Sequence, residues 1–463
     1  MLDFSMEPYK KEMIETLKGF IRIESVKSAA LPNMPYGKGI FDALMYAQST
    51  AERMDLDCVN AFGHLAYVDY GDGDEMLGIL THVDVVPKGE EWTMPAFEGI
   101  EKDGRLYGRG AIDNKGPAVA ALYAIKALSD NCIQLGKKVR LIFGADEETT
   151  WTDMDYYKAH ERIPDIAFSP DGEYPIINVE KGVLHIELSL NCPPTQAEGV
   201  ALRTFTAGTS VNVVPNRASC VIRAPFDIIQ KSIASYACPI GATLTCEKDE
   251  EGCVRILAAG KSSHGSRPHQ GINAAASLLQ YLNTLPLASG AAESAIYTLM
   301  EKIGTTLHGE NMGLNVSDEP SGELTLNLGM LKLRDGVMKV GLDIRYPVTF
   351  TREAVDAKIK EHLGMFEYRC IHAIRSLFVP EDSELIQTLM QVYKDNTGEE
   401  PYCIAIGGAT YARAFDNAVT FGPLFPGQPM VEHGPDEYIE IDSLIKNAQI
   451  IADAIVRLCG RKA

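Results

Sequence analysis

Residues 76–86 read Met-Leu-Gly-Ile-Leu-Thr-His-Val-Asp-Val-Val, and this stretch decides the fold. It is an apolar run rich in β-branched side chains, which is typical of a strand covered on both faces. Similar strand patterns occupy residues 138–148 and 166–172, and apolar residues repeat at helical spacing over 41–54 and 116–130. Strands that alternate with such helices predict an α/β domain with a mixed sheet between layers of helices.

The same alternation returns late in the chain, where residues 383–396 and 442–459 have helical spacing around a buried-strand pattern at 418–425. A chain of 463 residues is too long for one core, so two domains are expected. Because His433 is required by the metal-binding group described below, the C-terminal part is predicted to rejoin the N-terminal part. One domain then comprises residues 1–182 plus 377–463.

The remaining residues, 183–376, form a predicted insertion with a weak internal repeat. Residues 217–225 (RASCVIRAP) resemble residues 339–347 (KVGLDIRYP), and each is followed by a polar helical segment and another strand pattern. Two strand–helix–strand units predict an α+β domain, with duplication as one explanation. Two short matches also arise by chance, so both explanations stay open.

Metal-binding side chains occur in five motifs, each where a predicted strand gives way to a loop, which is where α/β folds position their chemistry. The motifs THVDVVPKGEEW, GRGAIDNKG, ADEET, SPDGE and EHGPDEY contain His82, Asp113, Glu147, Glu148, Asp171 and His433. Mixed histidine and carboxylate ligands suit zinc or manganese, and the lack of nearby cysteines argues against a closed structural zinc site. Their occurrence together favours a two-metal hydrolase over solvated acidic pairs and ordinary turns.

The spacing of these residues indicates their roles. His82 and Asp84 lie two apart on a predicted strand, so both side chains project from one face and Asp84 can orient the imidazole. Asp113 can offer one oxygen to each of two divalent ions, zinc or manganese. Two ions about 3.5–4 Å apart clamp a nucleophile and a carbonyl oxygen. With Glu148 as a ligand, Glu147 is the candidate general base.

Composition narrows the partners and the location. The net charge of −20 argues against nucleic acid or an anionic membrane surface as a partner. The N-terminal residues lack the apolar core of a signal peptide, and no run of about 18 apolar residues predicts a membrane span. The ten cysteines are scattered without a CxxC pair, which is typical of reduced thiols in a cytoplasmic protein.

These motifs resemble those of the co-catalytic metallopeptidases that include aminoacylase, carboxypeptidase G and succinyl-diaminopimelate desuccinylase. GILTHVDVVPKGEEW, LYGRGAIDNKGP, GADEETTW and SPDGEYP are most similar to the dipeptidase V group of Xaa-His, or carnosinase-type, dipeptidases. The resemblance implies a zinc-peptidase α/β domain interrupted by a lid domain. It also implies that one metal is bound by His82, Asp113 and Asp171, and the other by Asp113, Glu148 and His433.

The insertion and the C-terminal part contain further counterparts of family positions. The resemblance implies that the substrate is gripped by Asn212, His264 and Arg345, with His264 donating to the oxyanion and Arg345 holding a carboxylate. From the sequence alone Arg345 is not distinguished from Arg223, at the equivalent position of the repeat.

The stretch IGGATYARAF resembles a glycine-rich loop of the family, which implies substrate contacts from Gly407, Gly408 and Thr410. Ala409 replaces a third glycine and would be strained if the position requires a positive φ.

A dipeptidase acting on unblocked dipeptides is the leading prediction, with the substrate amine held by Asp84, Glu173 or another acid near the metals. An N-acyl amino acid amidohydrolase, of the deacetylase or desuccinylase type, is the alternative. A lapsed enzyme acting as a scaffold is a third reading, but the metal ligands and Glu147 are all present. The insertion resembles the long lid of the dipeptidase V group, which implies that His264 acts within its own chain and that the protein is a monomer.

Overall fold

The apolar run at residues 76–86 forms a strand, Met76–His82, in which all seven residues are buried. The computed structural model, which describes residues 4–249 and 252–461, places this strand inside a nine-stranded sheet. Its two neighbours, Lys138–Gly144 and Ile166–Ser169, run parallel to it. Pairs nearer both edges are antiparallel. The prediction of a mixed sheet in an α/β domain is therefore confirmed.

Numbered in chain order, the strands of this sheet are β1 (Cys58–Asn60), β2 (Ala66–Tyr70), β3 (Met76–His82), β6 (Lys138–Gly144), β7 (Ile166–Ser169), β9 (Ile176–Glu180), β20 (Leu377–Phe378), β21 (Cys403–Ile406) and β22 (Ala418–Thr420). Their order is β1-β2-β6-β3-β7-β22-β9-β20, and β21 pairs with β9. Two small sheets contain β4 (Ile100–Lys102), β5 (Arg105–Tyr107) and β24 (Tyr438–Glu440), and β8 (Gly172–Glu173) with β23 (Pro423–Leu424).

The chain divides into two units. Unit 1 comprises the residues up to Val179, Leu377–Ile404 and the residues from Ala409 onward, and unit 2 comprises Glu180–Ser376 with Ala405–Gly408. Each unit has its own hydrophobic core. The domain boundaries drawn from the sequence stay a prediction, which this division supports.

Helices cover the sheet of unit 1. They are α1 (Lys10–Ile21), α2 (Lys38–Arg53), α3 (Lys115–Asp130), α4 (Thr152–His160), α9 (Glu384–Thr397) and α10 (Ile441–Cys459). α3 is buried along almost its whole length and packs against α10. The sequence marks both ends of α9, because the Ser383 side chain accepts the N–H of Ile386 and Gly398, at φ 78°, ends the helix.

Two details of the strand predictions are wrong. Residues 418–425 form not one strand but β22 and β23, in different sheets, because Gly422 between them has φ 79°. The Tyr174 ring fills the space that a side chain at Gly422 would need. β3 ends at His82, so Asp84 lies beyond the strand.

Unit 2 is an α+β structure with an antiparallel eight-stranded sheet. Its strands are β10 (Gly182–Asn191), β11 (Ala201–Ala207), β12 (Arg217–Arg223), β13 (Thr243–Lys248), β14 (Val254–Ala259), β17 (Thr325–Arg334), β18 (Val337–Tyr346) and β19 (Glu367–Ile374), with a separate hairpin of β15 (Ser317–Asp318) and β16 (Gly322–Glu323). Its helices are α5 (Phe226–Ser235), α6 (Ala274–Leu282), α7 (Ala291–Lys302) and α8 (Arg352–His362). No helix within 4–249 and 252–461 is long and apolar enough to cross a membrane.

The two halves of the eight-stranded sheet have matching layouts. The strand order is β13-β14-β12-β11-β17-β18-β10-β19. Outward from the centre, β11, β12, β14 and β13 correspond to β17, β18, β10 and β19, and in each half a helix, α5 or α8, precedes the outermost strand. This layout supports duplication as the explanation of the sequence repeat, which stays a proposal.

Candidate metal centre

Five of the predicted ligands form two overlapping triads in unit 1. His82 Nε2 lies 3.0 Å from Asp113 Oδ1 and 3.8 Å from Asp171 Oδ1. His433 Nε2 lies 2.9 Å from Asp113 Oδ2 and 3.2 Å from Glu148 Oε2. Within each triad the ligand atoms all lie within 4.8 Å of one another, so one cation can contact all three. Asp113 belongs to both triads and turns one oxygen toward each histidine.

Asp84 connects His82 to the acidic pair of Glu147 and Glu148. His82 Nδ1 lies 3.0 Å from the Asp84 carbonyl oxygen and 3.3 Å from its Oδ1. The Asp84 carboxylate also accepts the backbone N–H of Glu147 at 3.3 Å and that of Glu148 at 3.0 Å. Asp84 thus orients the His82 ring, mainly through its carbonyl oxygen, and holds the loop that follows β6 through its carboxylate.

The donor set fits divalent cations. His82 Nε2 is buried and has no well-aligned hydrogen-bond partner in the part of the chain that the structure describes. Because Nδ1 is already engaged by Asp84, the Nε2 lone pair faces Asp113 and Asp171. Imidazole nitrogen and carboxylate oxygen are ligands that zinc and manganese accept.

The electrostatics of the triads also favour cations. Burial lowers the pKa of His433, but its hydrogen bonds with Asp113 and Glu148 outweigh burial and raise this pKa to about 11. Burial and the charge of Asp113 raise the pKa of Glu148 to about 7. Burial, followed by the charge of Asp171, raises the pKa of Glu147 well above its ordinary value. Acidic groups that oppose one another's ionisation are stabilised by a positive charge among them.

Asn114 holds the first triad together and was missed at the level of sequence. Its Nδ2 donates to Asp171 Oδ1 at 3.0 Å and to the Pro170 carbonyl at 2.8 Å, and its Oδ1 accepts the backbone N–H of His82 at 3.4 Å. A cis peptide bond joins it to Asp113. The signal available in the sequence was its position directly after Asp113. Asn114 is fully buried in the structure, and a buried asparagine requires hydrogen-bond partners.

In unit 2 the structure brings Asn212, His264 and Arg345 together. The N–H of Gly265, next to His264, donates to the Asn212 carbonyl at 2.7 Å. A Cβ at Gly265 would lie 2.4 Å from Asp343 Oδ2, so glycine allows this loop to approach the ion pair of Asp343 and Arg345. These three predicted substrate residues therefore occupy one region of unit 2.

Ser266 donates a hydrogen bond to the His264 ring and so defines which ring nitrogen carries the proton. The backbone N–H of Ser266 donates to Nδ1 at 3.2 Å, and the Ser266 hydroxyl lies 2.7 Å from the same nitrogen. Nδ1 is then the acceptor of the neutral ring and Nε2 carries the proton. Burial, and then the charge of Arg345, lowers the pKa of His264, which favours this neutral form.

Arg345 is held by charged and backbone partners. Its Nε and Nη2 donate to the two oxygens of Asp343 at 2.7 and 3.0 Å, and its Nη1 donates to the Gly407 carbonyl at 2.8 Å. Arg223 donates instead to the Ala197 carbonyl at 2.6 Å. Because Arg345 belongs to the group around Gly265 through Asp343, these partners favour it over Arg223, a choice that the sequence left open.

The glycine-rich loop divides between the units. Gly407 and Gly408 belong to unit 2 and Thr410 to unit 1. Thr410 is buried and its hydroxyl lies 2.8 Å from that of Thr420, so the hydroxyl already has an internal partner. Ala409 does not have a positive φ, so alanine causes no backbone strain at this position.

Glu173 lies in β8 and is half-buried. Burial, the charge of Asp113 and, to a smaller extent, the charge of Glu173 raise the pKa of Glu432, so a second acid also lies in this region. The assignment of one acid near the metals to the substrate amine stays a prediction.

A family model described as "Peptidase family M20/M25/M40" matches residues 78–457, which is most of the chain. The chain belongs to this family. Among its relatives, the beta-Ala-Xaa dipeptidase of Lactobacillus delbrueckii subsp. lactis is 32% identical over 458 residues, covering 98% of this chain and 97% of the relative. YtjP of Bacillus subtilis strain 168, a protein named provisionally as a dipeptidase, is 36% identical over 459 residues and covers 97% of both chains.

Two solved structures share the fold of this chain. Aminoacylhistidine dipeptidase from Vibrio alginolyticus matches with a TM-score of 0.59 at 16% identity, covering 97% of both chains. Human carnosine dipeptidase 1 matches with a TM-score of 0.58 at 15% identity, covering 98% of both chains. The family model and the two near-full-length relatives confirm the family resemblance inferred from the motifs.

Proposed function

We propose that this protein is a metal-dependent dipeptidase that hydrolyses the peptide bond of unblocked dipeptides. The observation that carries this assignment is that two triads share Asp113 while Glu147 adjoins Glu148, a member of one of them. Family membership supports peptidase chemistry. Two near-full-length relatives are named as dipeptidases, one of them for β-Ala-Xaa substrates.

We assign two divalent cations, zinc or manganese, to the triads. One would be held by His82, Asp113 and Asp171, and the other by Asp113, Glu148 and His433. Such a pair would polarise the scissile carbonyl and lower the pKa of a bound water molecule, so that hydroxide is available as the nucleophile at neutral pH.

Glu147 is assigned as the general base and acid. Burial and the charge of Asp171 raise the pKa of its carboxyl group, and a raised pKa strengthens the carboxylate as a base. In the proposed reaction its carboxylate takes the proton of the attacking water and passes it to the departing nitrogen. Asp84 acts through position, because it holds both the Glu147 backbone and the His82 ring.

The residues of unit 2 are assigned to the substrate. His264 would donate its Nε2 proton to the oxyanion, which is a stabilising interaction of the transition state. Arg345 would bind the substrate carboxylate, since its contacts with Asp343 and Gly407 use three of its five N–H groups. Asn212 and the backbone of Gly407 and Gly408, with Thr410, complete the assigned set.

The substrate amine is assigned to Glu173. Asp84 is the less suitable acid, because its carboxylate already accepts two backbone N–H groups. A free amine paired with a carboxylate separates dipeptides from N-acyl amino acids, since an acyl group would leave that charge unpaired.

A cytoplasmic location and a monomeric state belong to the same proposal. The ten cysteines are free thiols in the described structure, which suits a reducing compartment. Light scattering coupled to size-exclusion chromatography tests the monomer, and a stable dimer would contradict that part alone.

The deciding experiment compares amino-acid release from a free dipeptide with release from its N-acetylated and N-succinylated forms. The protein is stripped of metal and then supplied with zinc or manganese separately. Cleavage of the free dipeptide alone, restored by one metal, is the expected result.

The other outcomes are equally informative. Cleavage of the N-acyl compounds alone would identify an amidohydrolase and remove the role of Glu173. Full metal binding without cleavage of any of these compounds would point to a scaffold.

A further inference from the structure

A buried ion pair adjoins the second triad, and neither of its members was among the predicted site residues. Arg109 is 1% exposed and Glu437 is fully buried. Arg109 Nη1 donates to Glu437 Oε2 at 2.5 Å. Arg109 precedes Asp113 by four residues, and Glu437 follows His433 by four.

The pair contacts the backbone that carries two metal ligands. Glu437 Oε1 accepts the N–H of Ile112 at 3.0 Å and that of Asp113 at 3.3 Å. Arg109 Nη2 donates to the carbonyl of His433 at 3.1 Å. The loop of Asp113 and the loop of His433 are thereby tied together by side chains that are not themselves candidate ligands.

The two histidines depend on such support to different degrees. His82 ends a buried strand, is 1% exposed and is oriented by Asp84. His433 lies in a loop and its side chain is 53% exposed. Packing therefore confines His433 less than His82, and the hydrogen bond from Arg109 to its carbonyl restrains its backbone.

We propose that Arg109 and Glu437 are positioning residues that hold Asp113 and His433 in the geometry needed by the cation of the Asp113, Glu148 and His433 triad. A buried ion pair is weak support for stability, because desolvation of both charges offsets their attraction. Outer partners of metal ligands do set metal affinity, and their loss typically lowers it about 10–100-fold. The inference rests on the proposed two-ion site.

Glu437→Gln is the sharpest test because it conserves shape. A glutamine amide has one oxygen and one NH2 group, so either Arg109 or the two backbone N–H groups must lose their acceptor. We expect the cation of the His433 triad to bind about 10–100-fold more weakly. Binding of the cation held by His82, Asp113 and Asp171 should weaken less, because Asp113 is the only ligand of that triad whose backbone Glu437 contacts.

Asp69→Asn is the matched control. Asp69 forms a bidentate ion pair with Arg140, with both hydrogen bonds at 2.7 Å. This pair joins β2 and β6 of the nine-stranded sheet. Asp69→Asn should lower the thermal unfolding midpoint while both metal affinities stay at the wild-type values.

Arg109→Lys is a second test variant, since a compact ammonium cannot donate to both Glu437 and the His433 carbonyl in one geometry.

The measurement is titration calorimetry of the metal-stripped full chain with Mn²⁺ and with Zn²⁺, alongside thermal unfolding. Selective weakening of one of two binding events in Glu437→Gln, or in Arg109→Lys if the first variant does not fold, supports the inference. Two wild-type events that both variants leave unchanged, or weaken equally, overturn it and leave the proposed function intact. A wild-type protein that binds fewer than two ions overturns the two-ion function and this inference with it.

Discussion

Glu147 and Glu148 are neighbours in the sequence but have different roles in the proposed site. Glu148 contacts His433 at 3.2 Å as a triad member, whereas Glu147 belongs to neither triad. Glu147→Gln should therefore lower kcat about 10²–10⁴-fold, the usual contribution of a general base, while metal binding is retained. Kinetics on a free dipeptide and metal analysis of the dialysed protein measure the two quantities.

Glu148→Gln is the counterpart for this prediction. It removes a charged ligand from the second triad, so it should lower both metal content and turnover. If Glu147→Gln kept more than a tenth of the wild-type kcat, Glu147 would not be the base.

Protons compete with the metal for His433. Hydrogen bonds with Asp113 and Glu148 outweigh burial and raise the pKa of His433 to about 11 in the metal-free protein. A cation binds the unprotonated ring, so binding at neutral pH must release a proton, and affinity must rise with pH. For the cation of the Asp113, Glu148 and His433 triad we expect affinity still to rise about tenfold per pH unit from roughly pH 8 to 9, which is above the pKa of about 7 of Glu148. An ordinary histidine would level off near its pKa of about 6.5.

Titration calorimetry in buffers of different ionisation enthalpy counts the released protons. If binding at this triad released no proton at about pH 8 to 9, His433 would have an ordinary pKa and the prediction would be contradicted.

The candidate ligands, and Asp84 beside His82, stand out in the sequence, but Asn114, Arg109 and Glu437 do not. His82, Asp113 and the acidic pair stand in recognisable motifs at strand ends. Glu437 accepts the N–H of Ile112 across a separation of 325 residues, and no local spacing relates the two. Only the fold reveals which distant carboxylate reaches a ligand's backbone.

At the scale of elements, long periodic segments were predicted well and short irregular ones were not. α3 and α10 follow their apolar repeats closely, since burial of one continuous face specifies a helix. The break between β22 and β23 depends on a glycine at positive φ, and hydropathy does not register backbone conformation.

β18 presents Asp343 and Arg345 two residues apart, and hence on one face. Asp343 accepts two hydrogen bonds from Arg345 at 2.7 and 3.0 Å, which fixes the guanidinium. Asp343→Asn should lower kcat/KM for a free dipeptide about 10–100-fold, the value of a lost hydrogen bond to a charged group. The loss should appear mainly in KM if Arg345 binds the carboxylate in substrate and transition state alike.

The matched substrate is the dipeptide amide, which has no C-terminal carboxylate. Its cleavage should change little in Asp343→Asn. An equal fall for both substrates would show that Asp343 supports the fold of β18 and has no particular effect on carboxylate binding.

At the scale of the whole molecule, the two units have separate cores, and both candidate triads lie within unit 1. A ligand that binds only the folded state stabilises it by RT ln(1 + [L]/Kd), about 4 kcal/mol at 1,000-fold excess over Kd. For a unit of this size that free energy raises the unfolding midpoint by about 8–16 °C. Scanning calorimetry should therefore show one transition that falls by this amount in chelator and another, from unit 2, that does not move.

Asp113→Asn is the control for that experiment, because Asp113 belongs to both triads and its loss should abolish the response to chelator. Residues 180–376, produced alone, should unfold at the midpoint of the transition that chelator leaves unchanged, which assigns it to unit 2. If chelator shifted both transitions of the intact chain equally, metal binding would stabilise the chain as one cooperative unit. The separate cores would then not act as separate folding units, and the insertion would depend on unit 1 for its stability.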